Sequence, residues 1–318
     1  MPAKTTTPTA RVVRVRAFAK INLSLRVLGR RADGYHDIRT IYQSIALHDT
    51  LVFTRRRGPL EIACDNPACP AGETNLVYRA AQAAWRATGR RGRPSGFEVA
   101  IEKRIPIGAG LGGGSSDAAA MLRAVPLLWG RALPLARAHE VAATLGADVP
   151  FFLVGGTALG VARGDVMFPL PDWPQAWVVL VAPDFAVSTE RAYEWWDRMT
   201  DLPASIAARH RRAGRQPAAT AAGGWGAHLG PGELRNDLEP AVLVHHATIG
   251  RVIAEVRDRG ATWAAMSGSG SVVFGLFGSL ARATSARTAL AWPAGRALIT
   301  RTVGRTEYAR RARAVTGH

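Results

Sequence analysis

Long apolar runs and cysteines are both scarce in this chain of 318 residues. No run reaches the roughly 20 apolar residues that a membrane-spanning helix needs, and no secretory signal pattern is present. The only cysteines are Cys64 and Cys69, and no further pair of ligands stands near them at the spacing of a zinc site. These absences argue against a membrane-spanning protein and against a zinc protein. We expect a soluble cytoplasmic protein with two reduced thiols.

Lysine is also rare, although basic residues are abundant. Only Lys4, Lys20 and Lys103 are lysines among the 41 Lys and Arg residues, so arginine supplies nearly all of the positive charge. Arginine offers a planar fork of donors, whereas lysine offers a compact ammonium group. In a chain with this bias, a lysine outside the N-terminal tail indicates a place where a compact ammonium is needed. Lys20 is therefore a candidate site residue.

The formal net charge of +17 raises the possibility of a nucleic-acid partner. The basic residues are nevertheless spread along the whole chain, without the stripe of alternating aromatic and basic residues that is typical of single-strand binders. This distribution favours a basic surface that attracts small anionic substrates. We expect no nucleic-acid partner and no membrane partner, while a nucleic-acid-binding module stays the alternative hypothesis.

Length and composition predict a globular protein of two domains. The chain is long for a single core, and 47% of its residues are hydrophobic. We place one domain over residues 11–170 and the other over residues 171–318. A Thr- and Pro-rich tail at 1–10 is predicted to be disordered, and an Ala-, Gly- and Arg-rich stretch at 202–232 to be a mobile insertion. Strands and helices mix without regular βαβ alternation, which favours an α+β fold.

The glycine-rich stretch at 103–118 is the clearest candidate for a binding site. An alternating segment at 97–102 predicts a strand before it, and the apolar run at 118–125 predicts a helix after it. Glycines allow the backbone to curl with its N–H groups pointing inward, and Ser115, Ser116 and Asp117 are predicted caps of the helix. Curled amides next to a helix N-terminus form an anion site, so we predict that this loop binds phosphate.

Three other interpretations of this loop are weaker. Gly108, Gly110 and Gly113 satisfy the dinucleotide pattern G-x-G-x-x-G, but residues 127–135 lack the acidic residue expected about 20 positions later. A Walker A loop ends in Gly-Lys-Ser/Thr, whereas this loop ends in Gly-Ser-Ser. A flexible linker fits poorly, because the loop lies between two periodic elements.

Polar residues cluster on one side of the first predicted strand. Alternation over residues 11–28 puts Lys20, Asn22 and Ser24 on one face and apolar residues on the other. A turn follows, with Tyr35 and His36 at its exit. A solvated strand face and ordinary packing at the edge of a turn are the alternative explanations for these residues.

Two later segments also carry candidate residues. Asp148 stands immediately before an apolar run, where an aspartate is either a turn residue or a carboxylate in a cleft of low dielectric constant. The segment at 187–193 contains Thr189 and Tyr193, and Tyr193 is equally compatible with a binding site and with a core position.

The glycine-rich loop resembles that of the GHMP kinases, whose hallmark is Pro-x-x-x-Gly-Leu-Gly-Ser-Ser-Ala. Here the corresponding run begins at Pro106 and carries one additional glycine before the serines. The segments at 19–25 and 29–36 resemble the N-terminal signature of one branch of this superfamily. Members of that branch phosphorylate the 2-hydroxyl of 4-diphosphocytidyl-2-C-methyl-D-erythritol in the non-mevalonate isoprenoid pathway. The segment at 146–152 matches the one that supplies the catalytic aspartate of these kinases, and the segment at 260–271 resembles the third GHMP signature. The three signatures occur in the proper order.

The resemblance implies a fold, a reaction and cofactors. The expected fold has an N-terminal domain like domain 2 of ribosomal protein S5 and a ferredoxin-like C-terminal domain, with the active site between them. The expected cofactors are ATP and Mg²⁺, with Ser116 helping to hold the metal and no side chain assigned as a firm metal ligand. The expected partner is a small-molecule substrate, and the protein is expected to be a monomer or a weak homodimer.

The resemblance also implies a role for each candidate residue. Asp148 would accept the proton of the reacting hydroxyl, and Lys20 would stabilise the negative charge that develops there. Asn22 would face the same hydroxyl. The cytosine ring would be held by Tyr35 and His36, with Tyr193 as a second stacking ring and Thr189 nearby. The nucleotide contacts would be Asn75, Pro106, Gly108, Gly110, Leu111, Gly112, Gly113, Gly114, Ser115 and Ser116. A different GHMP kinase would share the loop but should lack the turn at 33–36.

Overall fold

The computed structural model describes residues 12–131, 133–201, 234–290, 292 and 296–317. The tail predicted over residues 1–10 and the insertion predicted over residues 202–232 lie outside these ranges. Within them, no helix has both the length and the apolar character that crossing a membrane requires.

The described residues contain eleven strands and nine α-helices. The strands are β1 (Val12–Arg30), β2 (His36–Pro59), β3 (Glu61–Cys64), β4 (Ser95–Glu102), β5 (Thr157–Val161), β6 (Val166–Pro169), β7 (Trp177–Val181), β8 (Trp263–Met266), β9 (Val273–Phe277), β10 (Ala297–Arg301) and β11 (Val315–Gly317). The helices are α1 (Leu76–Ala87), α2 (Gly113–Trp129), α3 (Leu135–Leu145), α4 (Phe151–Val154), α5 (Thr189–Thr200), α6 (Glu239–His245), α7 (Ala247–Asp258), α8 (Leu280–Ala289) and α9 (Arg305–Arg311).

The first half of the chain forms a seven-stranded sheet around the long antiparallel pair β1 and β2. The strand order is β11-β1-β2-β4-β3, and β2 also pairs with β5, which pairs with β6. Helices α1, α2 and α3 pack together on this sheet. Helix α1 buries Val77, Ala80, Ala81 and Ala84, the spacing of one helix face, and these small side chains allow α2 to approach closely. The sheet and its helices therefore enclose one continuous core.

The second half forms a four-stranded antiparallel sheet with the order β10-β7-β9-β8. Helices α5 to α7 lie between β7 and β8 in the chain, and α8 connects β9 to β10. The four strands thus stand in the order fourth, first, third and second, with helical connections after the first and third, which is the ferredoxin-like βαββαβ arrangement. This confirms the predicted α+β class and its ferredoxin-like second half.

The last described residues return to the first sheet. Strand β11 pairs with β1 through Val12 to Arg14, and Tyr308 of α9 is buried against Phe18 of β1. The predicted division at residue 170 assigns this segment to the second half, whereas the structure pairs it with the first. The physical reason is that β1 would otherwise be an edge strand with unpaired N–H and C=O groups.

The glycine-rich loop connects β4 to α2 and touches the second half of the chain. The carbonyl oxygen of Gly110 accepts a hydrogen bond from Ser267 Oγ at 3.0 Å. The backbones meet so closely that a Cβ on Gly110, whose φ is +76°, would lie 2.2 Å from the Ser267 carbonyl oxygen. Glycine at this position is therefore required for both space and backbone conformation.

Helix α2 begins earlier than the sequence predicts. Gly112, with φ +70°, is the N-cap, so the helix starts at Gly113. Ser115, Ser116 and Asp117 lie inside its first turns and are not caps. Ser116 Oγ donates a hydrogen bond to the Phe18 carbonyl oxygen at 2.7 Å, and the prediction of a capping role for this hydroxyl was wrong.

A buried ionic cluster lies directly beneath the loop. Lys103 Nζ donates hydrogen bonds of 2.6 Å to both Asp49 Oδ2 and Asp117 Oδ2. Asp49 Oδ1 also accepts the backbone N–H groups of Arg104 and Ile105. Asp117 Oδ1 is buried and finds no hydrogen-bond donor in the described part of the chain. Burial, together with the charge of Asp49, raises the pKa of Asp117 to about 7 despite the opposing effect of Lys103.

The raised pKa of Asp117 predicts that stability falls as pH rises. The folded protein keeps this proton up to about pH 7, whereas the unfolded chain loses it near the usual aspartate pKa of 3.8. The contribution of protonated Asp117 to the free energy of unfolding is thus fully present below about pH 4 and is lost as pH rises towards 7. Between pH 5 and pH 8, we expect the wild-type free energy of unfolding to fall by about 2 kcal/mol relative to Asp117→Asn. Urea titrations at both pH values measure this difference, and parallel pH profiles would contradict the prediction.

The close approach at Gly110 predicts a large difference between two glycine substitutions in the same loop. Gly110→Ala forces a clash with the Ser267 carbonyl and an unfavourable φ, and should lower the free energy of unfolding by about 2–4 kcal/mol. Gly114→Ala is the matched control. Its Cβ would meet only Leu76 Cδ1, at an ordinary 3.4 Å, and alanine is the better helix former. Thermal and urea unfolding of the two variants check the prediction, and equal losses of stability would refute it.

Candidate active site

A buried cation and a partly exposed carboxylate meet between the two sheets. Lys20 Nζ lies 3.3 Å from Asp148 Oδ2, although 128 positions separate them in the chain. The Lys20 side chain is 3% exposed and the Asp148 side chain is 31% exposed. The ammonium is therefore held inside the protein while the carboxylate reaches the surface of the cleft.

Asn22 fixes the Lys20 ammonium from the other side. Lys20 Nζ donates to Asn22 Oδ1 at 2.6 Å, and Asn22 Nδ2 donates to Thr40 Oγ1 at 2.7 Å. Thr40 Oγ1 in turn donates to the Ser24 carbonyl oxygen at 2.7 Å. The polar face predicted for β1 is thus buried, and the alternative of a solvated strand face was wrong.

Tyr42 is a functional candidate that the sequence analysis missed. Its hydroxyl donates to Asp148 Oδ1 at 2.9 Å, and its ring lies 5.5 Å from Lys20 Nζ. Burial and the neighbouring Asp148 charge raise the pKa of Tyr42 well above 10, so the phenol stays protonated and acts as a donor. Tyr42 stands opposite Asn22 in the β1–β2 ladder. Only the strand register reveals this placement, because no motif surrounds Tyr42 in the sequence.

The predicted phosphate loop lies beside Lys20. The Lys20 backbone N–H donates to the Leu111 carbonyl oxygen at 3.0 Å. Gly108, Gly110 and Gly112 all have positive φ values, between +67° and +76°, which curl the chain into the start of α2. A Cβ on Gly112 would lie only 3.2 Å from Lys20 Cγ. The helix N-terminus, with its free N–H groups, therefore begins next to the buried ammonium, and this arrangement suits the phosphates of a nucleotide.

The segment at 260–271, which resembles the last GHMP signature, borders the site from the second half of the chain. Ser267 Oγ accepts a hydrogen bond of 3.4 Å from the Asn22 backbone N–H while it donates to the phosphate loop. At Gly268, whose φ is +58°, a Cβ would lie 3.2 Å from Asn22 Oδ1 and 3.4 Å from Lys20 Nζ. Only a residue without a side chain fits against the polar face of β1 at this point.

Asn75, a predicted nucleotide contact, caps helix α1. Its Oδ1 accepts the Val77 backbone N–H at 2.8 Å, and its Nδ2 donates to the Pro70 carbonyl oxygen at 2.8 Å. Nδ2 also lies 3.6 Å from Cys69 Sγ. The side chain is thus tied to the backbone around it, and it shapes the start of the helix that packs on α2.

The residues predicted to hold a cytosine ring lie on the β1–β2 turn and on α5. His36 Nε2 lies 2.7 Å from Asp197 Oδ1, and the His36 ring stacks on Tyr193 with 4.6 Å between ring centroids. A base between these two rings would need about twice that separation. A base therefore does not fit between His36 and Tyr193, and stacking of Tyr193 on a cytosine held elsewhere stays a prediction. Tyr35 is 58% exposed, and the guanidinium carbon of Arg163 lies 5.3 Å from the centroid of its ring.

Thr189 and the candidate metal site remain to be placed. Thr189 Oγ1 lies 3.0 Å from Ser269 Oγ, at the N-terminus of α5.

Among the described residues, no group of three or more His, Cys, Asp or Glu side chains could hold a metal ion. The hydroxyl of Ser116 donates its proton to the Phe18 carbonyl oxygen of β1. The curl of the loop suits the phosphates of a nucleotide, and Asp148 lies against the neighbouring Lys20.

The sequence of this chain matches those of known proteins. Residues 75–156 match the model of the GHMP kinases N terminal domain, and residues 227–293 match that of the GHMP kinases C terminal domain. The chain is 44% identical over 276 residues to the 4-diphosphocytidyl-2-C-methyl-D-erythritol kinase of Solibacter usitatus, covering 85% of this chain and 82% of that protein. It is 40% identical over 295 residues to the kinase of the same name from Moorella thermoacetica, covering 92% and 99%.

Solved structures agree with the sequence comparison. A crystal structure of 4-(cytidine 5'-diphospho)-2C-methyl-D-erythritol kinase matches with a TM-score of 0.70 and 35% identity, over 92% of this chain and 99% of that one. Homoserine kinase from Cytophaga hutchinsonii matches with a TM-score of 0.65 at 20% identity, over 97% and 98%, which shows a shared fold. These matches confirm the predicted two-domain fold. The chain therefore belongs to the GHMP kinase family, in its 4-diphosphocytidyl-2-C-methyl-D-erythritol kinase branch.

Proposed function

We propose that this protein transfers the γ-phosphoryl group of ATP to the 2-hydroxyl of 4-diphosphocytidyl-2-C-methyl-D-erythritol, a step of the non-mevalonate isoprenoid pathway. The observation that carries the proposal is the Lys20–Asp148 pair at the end of the glycine-rich loop. A phosphate donor on the loop and an alcohol at this pair would stand side by side, which is the positioning that phosphoryl transfer requires.

The loop would bind the triphosphate of ATP. The curled backbone at Gly108, Gly110 and Gly112 and the N-terminus of α2 supply N–H donors and a favourable dipole. A Mg²⁺ ion bound with ATP would neutralise charge on the phosphate oxygens. Ser116, whose hydroxyl is bound to the Phe18 carbonyl oxygen, would act through the backbone of β1.

Asp148 would accept the proton of the acceptor hydroxyl. Its Oδ1 accepts a hydrogen bond from Tyr42 and its Oδ2 faces Lys20, so the carboxylate is held in one orientation. Each carboxylate oxygen keeps a second lone pair for the substrate. Because the side chain is partly exposed to the cleft, the hydroxyl can reach it from the open side.

Lys20 would stabilise the oxygen that attacks the phosphoryl group. Its ammonium has three N–H donors, of which one is bound to Asn22 and one faces Asp148. The third is free to point at the acceptor oxygen. In a site closed to water, such a fixed charge lowers the barrier more than it would in solution.

We infer further that the enzyme works in the cytoplasm, where ATP is available, as a monomer or weak homodimer that needs no nucleic acid and no membrane. Its partners would then be limited to the nucleotide and the small anionic acceptor. The spread of basic residues over the chain, with a net charge of +17, suits the attraction of two anionic substrates.

Removal of either member of the central pair should abolish turnover. Asp148→Asn and Lys20→Met should each lower kcat by about 10²–10⁴-fold, because each removes a group that acts on the reacting oxygen. ADP release with Mg-ATP measures the rate, with mevalonate, homoserine and galactose as alternative acceptors. Arg137→Met, an exposed position on α3, is the control and should keep wild-type activity. Turnover by the wild type on another alcohol in place of the cytidyl substrate would refute the substrate assignment.

Loss of the Tyr42 hydroxyl should impair the chemical step alone. Tyr42→Phe should lower kcat about 10-fold and leave KM for ATP within about twofold, because the lost hydrogen bond orients the Asp148 carboxylate. The matched control is Tyr308→Phe, which removes another buried hydroxyl that donates to the Phe152 carbonyl. That variant should lose stability and keep kcat. Equal effects of the two variants on kcat would show that Tyr42 has no special role.

A further inference from the structure

A groove of about 790 Å³ on the outer face of helix α1 concentrates positive charge. Its walls come from α1, from the turn at residues 89–93 that leads to β4, and from the end of α3. Glu73 is the one acidic residue among the described residues that line it. The lining arginines are Arg79, Arg86, Arg90, Arg91 and Arg93. None of these residues belongs to the candidate active site, so the groove is a second basic region of the molecule.

Most of this positive charge is not neutralised by the protein itself. Arg93 pairs with Glu73 at 3.2 Å. In the described part of the chain, none of the other four arginines of the groove forms an ion pair, and Arg79, Arg86 and Arg91 are exposed. Four uncompensated guanidinium groups therefore surround one concave space.

Arg90 is held by aromatic rings instead of by an acid. Its guanidinium carbon lies 4.6 Å from the centroid of the Trp85 ring and 5.4 Å from that of the Trp129 ring. Nη2 donates to the Trp129 carbonyl oxygen at 3.3 Å. Burial and, to a smaller extent, the charge of Arg131 lower the pKa of Arg90. An anion in the groove would oppose this effect, because an opposite charge favours the charged form.

The turn that carries three of these arginines is fixed against α1. Trp85 Nε1 donates to the Arg91 carbonyl oxygen at 2.9 Å, and Gln82 Nε2 donates to the Gly92 carbonyl oxygen at 3.2 Å. The Arg90 backbone N–H donates to the Trp85 carbonyl oxygen at 3.1 Å. The arginines therefore project from a backbone that is already in place, and a ligand does not have to order the turn before it binds.

The size and charge of the groove favour a small anion with two or more phosphate groups. Small-molecule pockets have volumes of roughly 300–1,000 Å³, and the groove falls within this range. Guanidinium groups bind pairs of phosphate oxygens. A single phosphate monoester carries a charge of only about −2 at neutral pH, which is less than the charge that the groove leaves uncompensated. The compact shape also differs from the long basic track that suits a nucleic-acid strand.

The groove adjoins two segments that lead to the candidate active site. Thr144 and Leu145 line it at the end of α3, and Asp148 follows three residues after Leu145. Glu73 lines it two residues before Asn75, which caps α1. A ligand that bridges α1, the turn and α3 would thus contact the elements that precede both Asp148 and the predicted nucleotide contact.

We propose that this groove is a second anion site, separate from the phosphate loop, which binds a small molecule with two or more phosphate groups and alters the rate of turnover. Arg79 and Arg86 on α1 would bind the phosphate oxygens together with the arginines of the turn. This ligand would be a third small anion besides the two proposed substrates. Binding in the groove does not depend on which alcohol the active site phosphorylates.

Titration calorimetry with inorganic diphosphate tests the site. A non-hydrolysable ATP analogue saturates the phosphate loop, and Mg²⁺ is kept in excess. The double variant Arg79→Met/Arg86→Met should raise Kd for diphosphate about 10- to 100-fold, because two charge-assisted contacts are lost. The matched control, Arg282→Met/Arg287→Met, removes the same charge from two exposed positions of α8 and should keep Kd within twofold. Thermal unfolding checks that both variants are folded.

Steady-state rates test the effect on the active site. When Mg-ATP and the acceptor are both saturating, diphosphate cannot compete for the active site, so a change in kcat reports binding elsewhere. We expect saturating diphosphate to change the kcat of the wild type at least twofold and to leave the kcat of Arg79→Met/Arg86→Met unchanged. A constant wild-type kcat with diphosphate bound would overturn the effect on turnover.

Three binding results would overturn the site itself. Unchanged Kd in Arg79→Met/Arg86→Met would mean that diphosphate binds elsewhere, such as the acceptor site. Equal losses in this variant and in the α8 control would mean that only the overall charge of the protein matters. A short single-stranded RNA that binds the wild type more tightly than diphosphate, and loses this affinity in Arg79→Met/Arg86→Met, would assign the groove to nucleic acid. Absence of turnover on the cytidyl substrate would instead refute the proposed function and leave the binding result as it is.

Discussion

The architecture of the site depends on one junction. There the backbones of β1, the phosphate loop and the segment around Ser267 pack directly against one another. Strand β1 donates its Lys20 N–H to the phosphate loop, and Ser267 from the second half donates its hydroxyl to the same loop at Gly110. Glycine at 110, 112 and 268 removes the side chains that would keep these backbones apart. The ammonium of Lys20 and the start of α2 come together only because this junction is closed. The donor and acceptor halves of the proposed reaction thus meet at a place fixed by backbone geometry.

Local patterns predicted the parts of the site that lie within one segment. The chemistry of the loop and the rarity of lysine were enough to single out the loop and Lys20, whereas Asp148 was assigned a role only because its segment resembles a GHMP kinase signature. Tyr42 could not be found in this way, because its placement depends on the register of β2 against β1. The start of α2 was misplaced because Ser115 and Ser116 resemble caps, whereas Gly112 in the left-handed conformation takes that position. The stacking of Tyr193 on His36 is likewise a tertiary contact without a signature in the sequence.

The scarcity of lysine has a structural counterpart. Lys20 and Lys103 are both buried, and both ammonium groups contact carboxylates on either side of the loop. The expectation that a rare lysine marks a special environment applies to both residues, although only Lys20 was singled out. A compact ammonium fits where two oxygens converge from different elements, and the larger arginine fork would not. In the described part of the chain, arginines such as Arg104 and Arg137 instead lie at the surface, where they pair with acidic side chains.

The return of the last described residues to β1 imposes an order on how the protein is made. Strand β11 and helix α9 complete the sheet that carries Lys20, yet the ribosome produces them only after every strand of the second sheet. The first sheet is therefore synthesised early but stays open along one edge until translation nears residue 317. A newly made chain cannot finish its two halves one after the other, which is the usual course for successive domains. Completion of the fold therefore couples both halves to the arrival of one short strand, which covers the open edge of β1.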